Sequence, residues 1–384
     1  MDSKNQTAAM GILLTISAAH FLNDLLQSVI PASLPVLKEA NALTFAEVGL
    51  ITLTVQITSS HLQPFVGAVS DRHPMPEALP CGMLLSGLGL ILLAHAATLP
   101  AILISVALIG CGSAVFHPES SRTAQDVSGG RRGFAQAVFQ VGGNAGSAMG
   151  PIAAALVVIP YGKSSIGWFS LSAALAFLLL VGVAKTYHRA PPEAVKSAAA
   201  ASGSGTAWNV KFIFVLMFSK QVYISSLTNF LTFYVMEKFH VDPVTAQYAL
   251  FAFLGAGAAG TLLGGPITDR FGRRKVIFGS IFGAAPFALL VPYVGFWGVI
   301  ALVILVSFVI SSAFSAILVC ALDVAPRHTG MVSGGFFGLT FGLGGAAAAF
   351  FGWLADIIGI ENVFLAASFM PLAGIFALAL PKKL

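Results

Sequence analysis

The residues best suited to chemistry in this sequence are His20 and Asp24, which stand inside a long apolar run. They are four residues apart, so on a helix they lie on one face and one turn from each other. Asp24 comes about fifteen residues into the run, near the middle of a bilayer at a rise of ~1.5 Å per residue. A carboxylate and an imidazole there can share a proton, and a conformational change that alters their burial would load or release it. Two interpretations stay open: a proton-coupling pair, or a buried pair that satisfies itself and Asn23.

Other ionisable groups inside apolar runs are few, and each needs a reason because such a charge costs roughly 2.5–3.5 kcal/mol in a membrane. Glu119 and Arg122 follow Pro118 at the end of the fourth run. They can form a surface ion pair, or they can serve as a gate or a proton-coupling site. Lys220 stands deep in the seventh run, where it can snorkel to the interface or bind an anion. The other polar residues predicted to bind substrate or to face a neighbouring helix are Gln56, His61, Gln140, Asn144, Tyr223 and Asn229.

The elements that must position these residues are membrane-spanning helices. Hydrophobic residues make up 57% of the chain and charged residues 9%, which leaves too little polar surface for a soluble domain of 384 residues. A run needs roughly 20 residues to cross a bilayer as a helix. Twelve runs qualify, at about 9–37, 44–66, 77–96, 100–116, 133–159, 166–184, 210–236, 245–264, 276–294, 297–320, 330–354 and 363–380. The predicted fold is an all-α polytopic membrane protein.

The chain is also predicted to be a duplication. The loops after the second and the eighth runs share a pattern at one constant offset, and the matched residues are Gly67, Asp71, Arg72, Gly265, Asp269 and Arg270. In this pattern the glycine permits a tight turn, the aspartate can cap the next helix, and the arginine holds the loop at the membrane surface. We therefore expect two pseudo-symmetric six-helix bundles, residues 1–186 and 208–384, joined by a cytoplasmic linker at 187–207 that contains the flexible sequence AAAASGSGT.

The positive charges predict the orientation. An even number of spans puts both termini on one side, and basic residues concentrate in cytoplasmic loops. With both termini in the cytoplasm, only Lys38, Lys163 and Lys238 face outward, while Lys220 lies in the membrane. The net charge of +5 is therefore explained by basic loop residues that set the orientation in the membrane, and it does not indicate nucleic-acid binding. The expected location is the plasma membrane of a bacterium, its inner membrane.

Neither a metal site nor a cofactor is expected. The three cysteines stand in apolar runs, where a thiol is generally a small buried hydrophobe. His20, His61 and His117 lie in separate runs without the spacing of metal ligands. A membrane enzyme would need a cluster of catalytic groups at one depth, so the sequence does not favour an enzyme.

The paired loops and the sixfold plus sixfold layout resemble the major facilitator superfamily. The second loop, GPITDRFGRRK from Gly265, carries the full pattern, and the first departs from it after Arg72. The resemblance implies that these loops latch the two halves and do not bind substrate. Within the superfamily, four stretches resemble the fosmidomycin resistance protein group of efflux transporters: HFLNDLLQSVIPASLPVL, VGAVSDRHPMPEALPCGM, GCGSAVFHPESSR and FAQAVFQVGGNAGSAMGP.

The last of these stretches contains Gly146, Gly150 and Pro151 and looks like the fifth-helix signature of drug and proton antiporters. The resemblance implies that the glycines allow close helix packing and that the proline shapes the cavity. Many antiporters of the superfamily carry an arginine in the middle of the fourth helix, and residues 102–110 contain none. The groups left to handle protons are Asp24, His20, Glu119 and Arg122.

The resemblance thus implies a proton-coupled antiporter that exports fosmidomycin-like or other small toxic compounds by alternating access. Fosmidomycin carries a phosphonate, which the cations Lys220, His20 and Arg122 would suit. A proton-coupled symporter that imports a small organic anion would need the same features, because these residues do not determine the direction of substrate transport. The expected partners are a small-molecule substrate, protons and the lipid bilayer, and the protein is expected to function as a monomer.

Overall fold

A computed structural model of the protein describes residues 3–72, 75, 77–128, 132–186, 207–314, 316–317 and 329–380. None of these residues forms a β-strand, so the prediction of an all-α protein is confirmed. The predicted linker at 187–207 lies outside the described residues except for Ala207.

The described part of the first half contains seven longer helices and three short helical segments. The helices are α1 (Ser3–Ala40), α2 (Phe45–His61), α3 (Gln63–Arg72), α4 (Ala78–His95), α5 (Leu99–Asp126), α6 (Arg132–Ala153) and α7 (Ser170–Thr186). A π-helical segment, Ala154–Val158, and a final turn, Ile159–Tyr161, extend α6, and a 3₁₀ helix, Lys163–Phe169, leads into α7.

The described part of the second half contains a matching series. Its helices are α8 (Ala207–Phe239), α9 (Pro243–Phe271), α10 (Arg273–Ile281), α11 (Ala285–Leu290), α12 (Phe296–Ser311), α13 (Thr329–Ile358) and α14 (Ile360–Ala367). A 3₁₀ helix at Val291–Tyr293 follows α11, and another at Met370–Ala379 follows α14.

Where the structure describes them, all twelve predicted spans coincide with helical structure. Among the described residues, eight helical segments are long and apolar enough to cross a membrane, and Phe296–Ser311 and Gly342–Ile358 are shorter apolar helices. The remaining two spans do not reach the length or the hydropathy of the others, for physical reasons. A break at Leu62 divides the second span into α2 and α3, and polar residues including Lys220 lower the hydropathy of α8.

The described loop residues only partly follow the predicted pattern. The cap predicted from Asp269 is not made, because α9 continues through Phe271 and Asp269 is exposed within its last turn. The N-cap of α10 is Gly272, whose positive φ of 83° forms the turn and which has no side chain to cap the helix. Arg270 is exposed, and a Cβ on Gly265 would meet nothing within 4 Å. Gly67, Asp71 and Arg72 belong to α3, and the side chains of Asp71 and Arg72 are not among the described ones.

The chain divides into two compact units. The first comprises Met1–Leu43 and Thr54–Val195, and the second comprises Thr44–Leu53 and Lys196–Leu384. The first turns of α2 group with the second unit because they pack with helices of the second half. We call these residues, Thr44–Leu53, the α2 start.

Two sets of hydrogen bonds hold the N-terminus of the α2 start. Thr44 and Glu47 form a capping box, in which the Thr44 N–H donates to Glu47 Oε2 (2.8 Å) and the Glu47 N–H donates to Thr44 Oγ1 (3.1 Å). The carboxylate of Asp356, in α13, accepts from the N–H groups of Phe45 and Ala46, at 2.8 Å each. Together these bonds satisfy the N–H groups that a helix start leaves unpaired.

The first unit is built on close packing between α1 and α6. A Cβ on Gly146 would lie 2.1 Å from the carbonyl oxygen of Phe21, and one on Gly150 would lie 2.3 Å from Ser28 Oγ. Only a glycine allows such an approach of two backbones. Pro151 lies within α6, one turn before the helix widens into the π-helical segment. This packing places the middle of α1 against α6.

Candidate functional site

Three ionisable side chains of the first unit meet where α1, α5 and α6 pack together. His20 Nε2 lies 3.4 Å from Asp24 Oδ2, and His117 Nε2 lies 3.4 Å from Asp24 Oδ1. We call these residues the His–Asp–His cluster. The exposed fraction of the side chain rises from 3% for His20 to 18% for Asp24 and 26% for His117.

His20 is fixed on all sides. Its ring stacks on Phe139 with a centroid distance of 3.9 Å, and Phe116 packs beside it at 5.8 Å. Its Nδ1 lies 2.8 Å from the carbonyl oxygen of Phe139. Because a carbonyl only accepts, Nδ1 carries a hydrogen, and in the neutral ring Nε2 has a lone pair.

Asp24 has every acceptor position occupied. Asn23 Nδ2 donates to Oδ1 at 3.0 Å, and Ser147 Oγ donates to Oδ2 at 3.4 Å. With the two histidine contacts this makes four partners, which is the capacity of a carboxylate. The contact between His20 Nε2 and Asp24 Oδ2 therefore needs a proton, carried by one atom or the other, since otherwise two lone pairs would face each other.

His117 is the adjustable member of the cluster. Its Nδ1 lies 3.0 Å from both the carbonyl oxygen and the hydroxyl of Ser113, one turn earlier in α5. The hydroxyl can donate or accept, so a neutral His117 can carry its hydrogen on either nitrogen. Ser113 Oγ also accepts from Gln27 Nε2 of α1 at 2.7 Å. The ring of His117 is therefore positioned by contacts with both helices.

Gly143 of α6 gives the cluster its space. A Cβ at this position would lie 2.4 Å from His20 Nε2 and 2.8 Å from Asp24 Oδ2. Any larger residue would displace the imidazole or the carboxylate, because contacts this short do not occur between unbonded atoms.

The cluster also offers three possible metal ligands, one atom from each residue, all within 4.8 Å of one another. Asp24 presents a different oxygen to each histidine, so the three side chains can also be linked in a row by shared protons.

The other predicted proton-coupling residues form a separate pair. Arg122 Nη1 donates to Glu119 Oε2 at 3.0 Å, and the carboxylate is almost fully buried. Both lie on α5 beyond His117, toward the C-terminal end of that helix.

The predicted substrate-binding residues of the first unit lie in different environments. His61, the last residue of α2, is exposed, and Gln56 is half-buried. Gln140 and Asn144 of α6 are also half-buried. The Nδ2 of Asn144 is shielded from solvent and has no hydrogen-bond partner among the described residues, so it is available to an acceptor on a ligand.

In the second unit, α8 carries a buried cation. The exposed fraction of Lys220 is 6%, and its Nζ lies 5.0 Å from the centre of the Phe314 ring. Among the described residues no carboxylate forms an ion pair with it. Tyr223 is buried nearby in sequence, and the Oδ1 of Asn229 accepts from Thr52 Oγ1 of the α2 start at 2.7 Å. Asn229 is thus already engaged by protein, whereas the one contact of the Lys220 ammonium within the described part of the chain is with an aromatic ring.

Sequence reasoning found His20 and Asp24 from their spacing but did not assign His117, Ser147 or Gly143 to the site. His117 belongs to another helix, and its distance along the chain gives no sign of contact with Asp24. A signal existed in its position one turn after Ser113, directly after the fourth predicted span.

Comparisons with known proteins agree with this architecture. The family model of the Major Facilitator Superfamily matches residues 16–238 and 212–383. The chain is 47% identical over 380 residues to the fosmidomycin resistance protein of Escherichia coli (strain K12), covering 98% of this chain and 94% of that protein. It is 42% identical over 390 residues to YfnC of Bacillus subtilis (strain 168), an MFS-type transporter, with 99% and 95% covered.

Among solved structures, the fold resembles a bacterial homologue of the human lysosomal transporter Spinster in an inward-facing and occupied conformation. The TM-score is 0.81 over 96% of each chain, and the identity of 14% limits this likeness to the fold. The resemblance expected from the paired loops and the first-half stretches is therefore confirmed. This chain is a multi-pass membrane transporter that belongs to the major facilitator superfamily, in the group of the fosmidomycin resistance protein.

Proposed function

We propose that this protein is a proton-coupled antiporter that exports fosmidomycin-like or other small toxic compounds by alternating access. The observation that carries the proposal is the contact between His20 Nε2 and Asp24 Oδ2, which needs a proton in the middle of α1. The name of the Escherichia coli relative supports both the direction and the class of substrate.

The proton step follows from the charge of the pair. With its proton, the His20 and Asp24 pair is neutral overall and satisfied among apolar helices. Without it, the carboxylate faces a lone pair, and a charge in the membrane interior costs roughly 2.5–3.5 kcal/mol. Release of the proton therefore favours a conformation in which Asp24 meets water or other partners, and reloading favours the packed one. In this way proton flow can drive the cycle.

Substrate binding is assigned to polar residues of both halves. In the second unit these are Lys220, Tyr223 and Asn229, and in the first they are Gln56, His61, Gln140 and Asn144. The buried ammonium of Lys220 suits an acidic group such as a phosphonate, because among the described residues it has no carboxylate partner. The free Nδ2 of Asn144 would donate to a substrate oxygen.

The remaining parts of the proposal are structural. The Glu119–Arg122 ion pair is a candidate gate or second proton site on α5. The paired loops that contain Asp71 and Asp269 would latch the halves, and Gly146, Gly150 and Pro151 would shape the closing helices. Both termini would lie in the cytoplasm, and the protein would act as a monomer in the inner membrane.

The test is transport of radiolabelled fosmidomycin in proteoliposomes with an imposed pH gradient. Wild type is expected to move substrate against its gradient when protons flow in the opposite sense. The Asp24→Asn variant keeps the side-chain size but cannot release a proton, so it is expected to lose gradient-driven movement. Asp242→Asn, which removes an exposed carboxylate, is the matched control and should behave as wild type. Unchanged gradient-driven transport by Asp24→Asn would show that the proton role is wrong.

A symporter that imports a small organic anion is the second candidate, and the observation that favours it is again the buried Lys220. Reversing the pH gradient distinguishes the two. An exporter of the proposed type accumulates substrate on the side from which protons leave, whereas a symporter accumulates it on the side to which they flow.

A further inference from the structure

We propose that His117 is the residue through which the proton passes between water and Asp24. The inference rests on the proposed proton coupling and adds the path that the proton takes. The exposed fraction rises along the His–Asp–His cluster from 3% at His20 to 26% at His117, so His117 is the member that water can reach best.

The opposite end of the cluster is closed. His20 is stacked on Phe139, Phe116 packs beside it, and Gly143 lies so near that even a methyl group would overlap its ring. Its Nδ1 is held by a backbone carbonyl. His20 can therefore retain a proton next to Asp24, but it is poorly placed to exchange one with water.

Asp24 is faced by groups of three helices. The side chains that contact it are His20 and Asn23 of α1, His117 of α5 and Ser147 of α6. Among these described neighbours only the two histidines have ring nitrogens that can take up a proton and pass it on. Since His20 is enclosed, His117 is the neighbour that can both exchange a proton with water and reach the carboxylate.

The transfer is a simple proton exchange. A hydronium ion protonates the free nitrogen of neutral His117 and leaves water, which gives an imidazolium whose Nδ1–H is held by Ser113. The imidazolium then gives its Nε2 proton to Asp24 Oδ1, so one N–H bond breaks and one O–H bond forms. The reverse sequence releases the proton.

The exchange depends on how α1 and α5 are placed against each other, because its two partners belong to different helices. His20 and Asp24 belong to α1 and stay together in any rigid movement of that helix, whereas His117 belongs to α5. The bond from Gln27 Nε2 to Ser113 Oγ holds the two helices in register beside the cluster. A shift of α5 against α1 would separate His117 from Asp24 and leave the transferred proton on Asp24, beside His20.

The experiment measures proton-driven fosmidomycin transport in proteoliposomes by the His117→Ala variant, with and without added imidazole. Loss of the transfer group is expected to lower the rate by at least about 10-fold, since a positioned proton-transfer residue contributes 10²–10⁴-fold in enzymes. Imidazole is expected to restore the rate in a concentration-dependent manner at constant pH, because it can carry the proton in the vacated space. A purely structural role of His117 predicts no such rescue.

Two controls separate the possible failures. His95→Ala removes an exposed histidine at the end of α4 and should be unaffected by imidazole. Asp24→Asn should be inactive and not rescued. If Asp24→Asn is inactive while His117→Ala keeps its rate, or loses it without rescue, the route is wrong and the proposed function stands. If Asp24→Asn transports normally, both are wrong. Should His117→Ala not fold, the same rescue is measured with His117→Gly.

Discussion

The helix pair α1 and α6 of the first unit has a counterpart in the pair α8 and α13 of the second. Ser28 Oγ donates to the carbonyl oxygen of Ser147 at 2.5 Å, and Ser225 Oγ donates to that of Gly344 at 2.6 Å. In both pairs the two residues are 119 positions apart. The duplicated halves thus share not only their loops but also a hydrogen bond at one crossing of two helices.

The chemistry at that crossing differs between the units. Four residues before Ser28 stands Asp24, which contacts Ser147. Four residues before Ser225 stands Gln221, and a Cβ on Gly344 would lie 3.0 Å from its Nε2. A neutral amide thus takes the place of the carboxylate, and the nearest charged residue on α8 is Lys220, one residue earlier. The common scaffold therefore holds the proposed proton site in one half and a candidate anion site in the other.

The largest expected effect comes from moving the carboxylate between the units. The double variant Asp24→Asn with Gln221→Asp should lose proton-driven transport by at least about 100-fold, because neither α8 nor α13 carries a histidine to hold the proton. Gradient-driven uptake in proteoliposomes measures this, with Gln221→Asp alone as the control. Recovery of coupling in the double variant would mean that the two crossings are chemically interchangeable.

A smaller effect is expected from adding one methyl group at each crossing. Gly143→Ala would press on His20 and Asp24, which are held by several neighbouring groups, so transport should fall by about 10-fold and overpacking should cost about 1–3 kcal/mol. Gly344→Ala meets the flexible end of Gln221 and should change both quantities less. Transport rates and thermal unfolding in detergent measure the two effects. Equal losses would contradict the idea that only the first crossing is a rigid site.

The same comparison extends to the second span of each half, where the helices are capped in different ways. The α2 start takes its cap from Asp356 of α13, whereas α9 takes its cap from Asp242 directly before it. Asp356→Ala should lower the free energy of unfolding by about 1 kcal/mol, and Asp356→Asn by less because one oxygen remains to accept. Thermal unfolding measures both. No change in either variant would show that the second unit does not depend on this cap.

The smallest effect is the pH dependence of the α9 cap. The Thr245 hydroxyl and N–H donate to the carboxylate of Asp242 and hold its pKa below the usual value. The stabilisation is therefore fully present above about pH 3.9, the value in the unfolded chain, and is lost as the pH falls through the lower folded pKa. Asp242→Ala should unfold at a lower temperature than wild type at neutral pH, and the difference should shrink in acid. A difference independent of pH would point to a contact other than the carboxylate.

Hydropathy was sufficient to predict the helices. Each predicted span coincides with helical structure where it is described, because inside a bilayer the backbone N–H and C=O groups have few hydrogen-bond partners other than those within a helix. Spacing of four residues was sufficient to predict that His20 and Asp24 meet, since that geometry is local to one helix.

Contacts between helices could not be predicted in the same way. His117 reaches Asp24 only because of the rotation of α5 and the close approach of α6 at Gly143, and neither is encoded in a short stretch of sequence. The cap from Asp356 joins residues more than 300 positions apart. The predicted cap from Asp269 was wrong for a local reason, since α9 extends beyond the aspartate and Gly272 makes the turn.

The cap on the α2 start also bears on how the protein is made. Phe45 and Ala46 are synthesised early, while Asp356 emerges from the ribosome only after 310 further residues. During that interval the beginning of α2 lacks its final partner, so completion of the second unit must wait for nearly the whole chain. A protein truncated before α13 would keep the Thr44–Glu47 capping box but would lack the hydrogen bonds from Phe45 and Ala46 to Asp356.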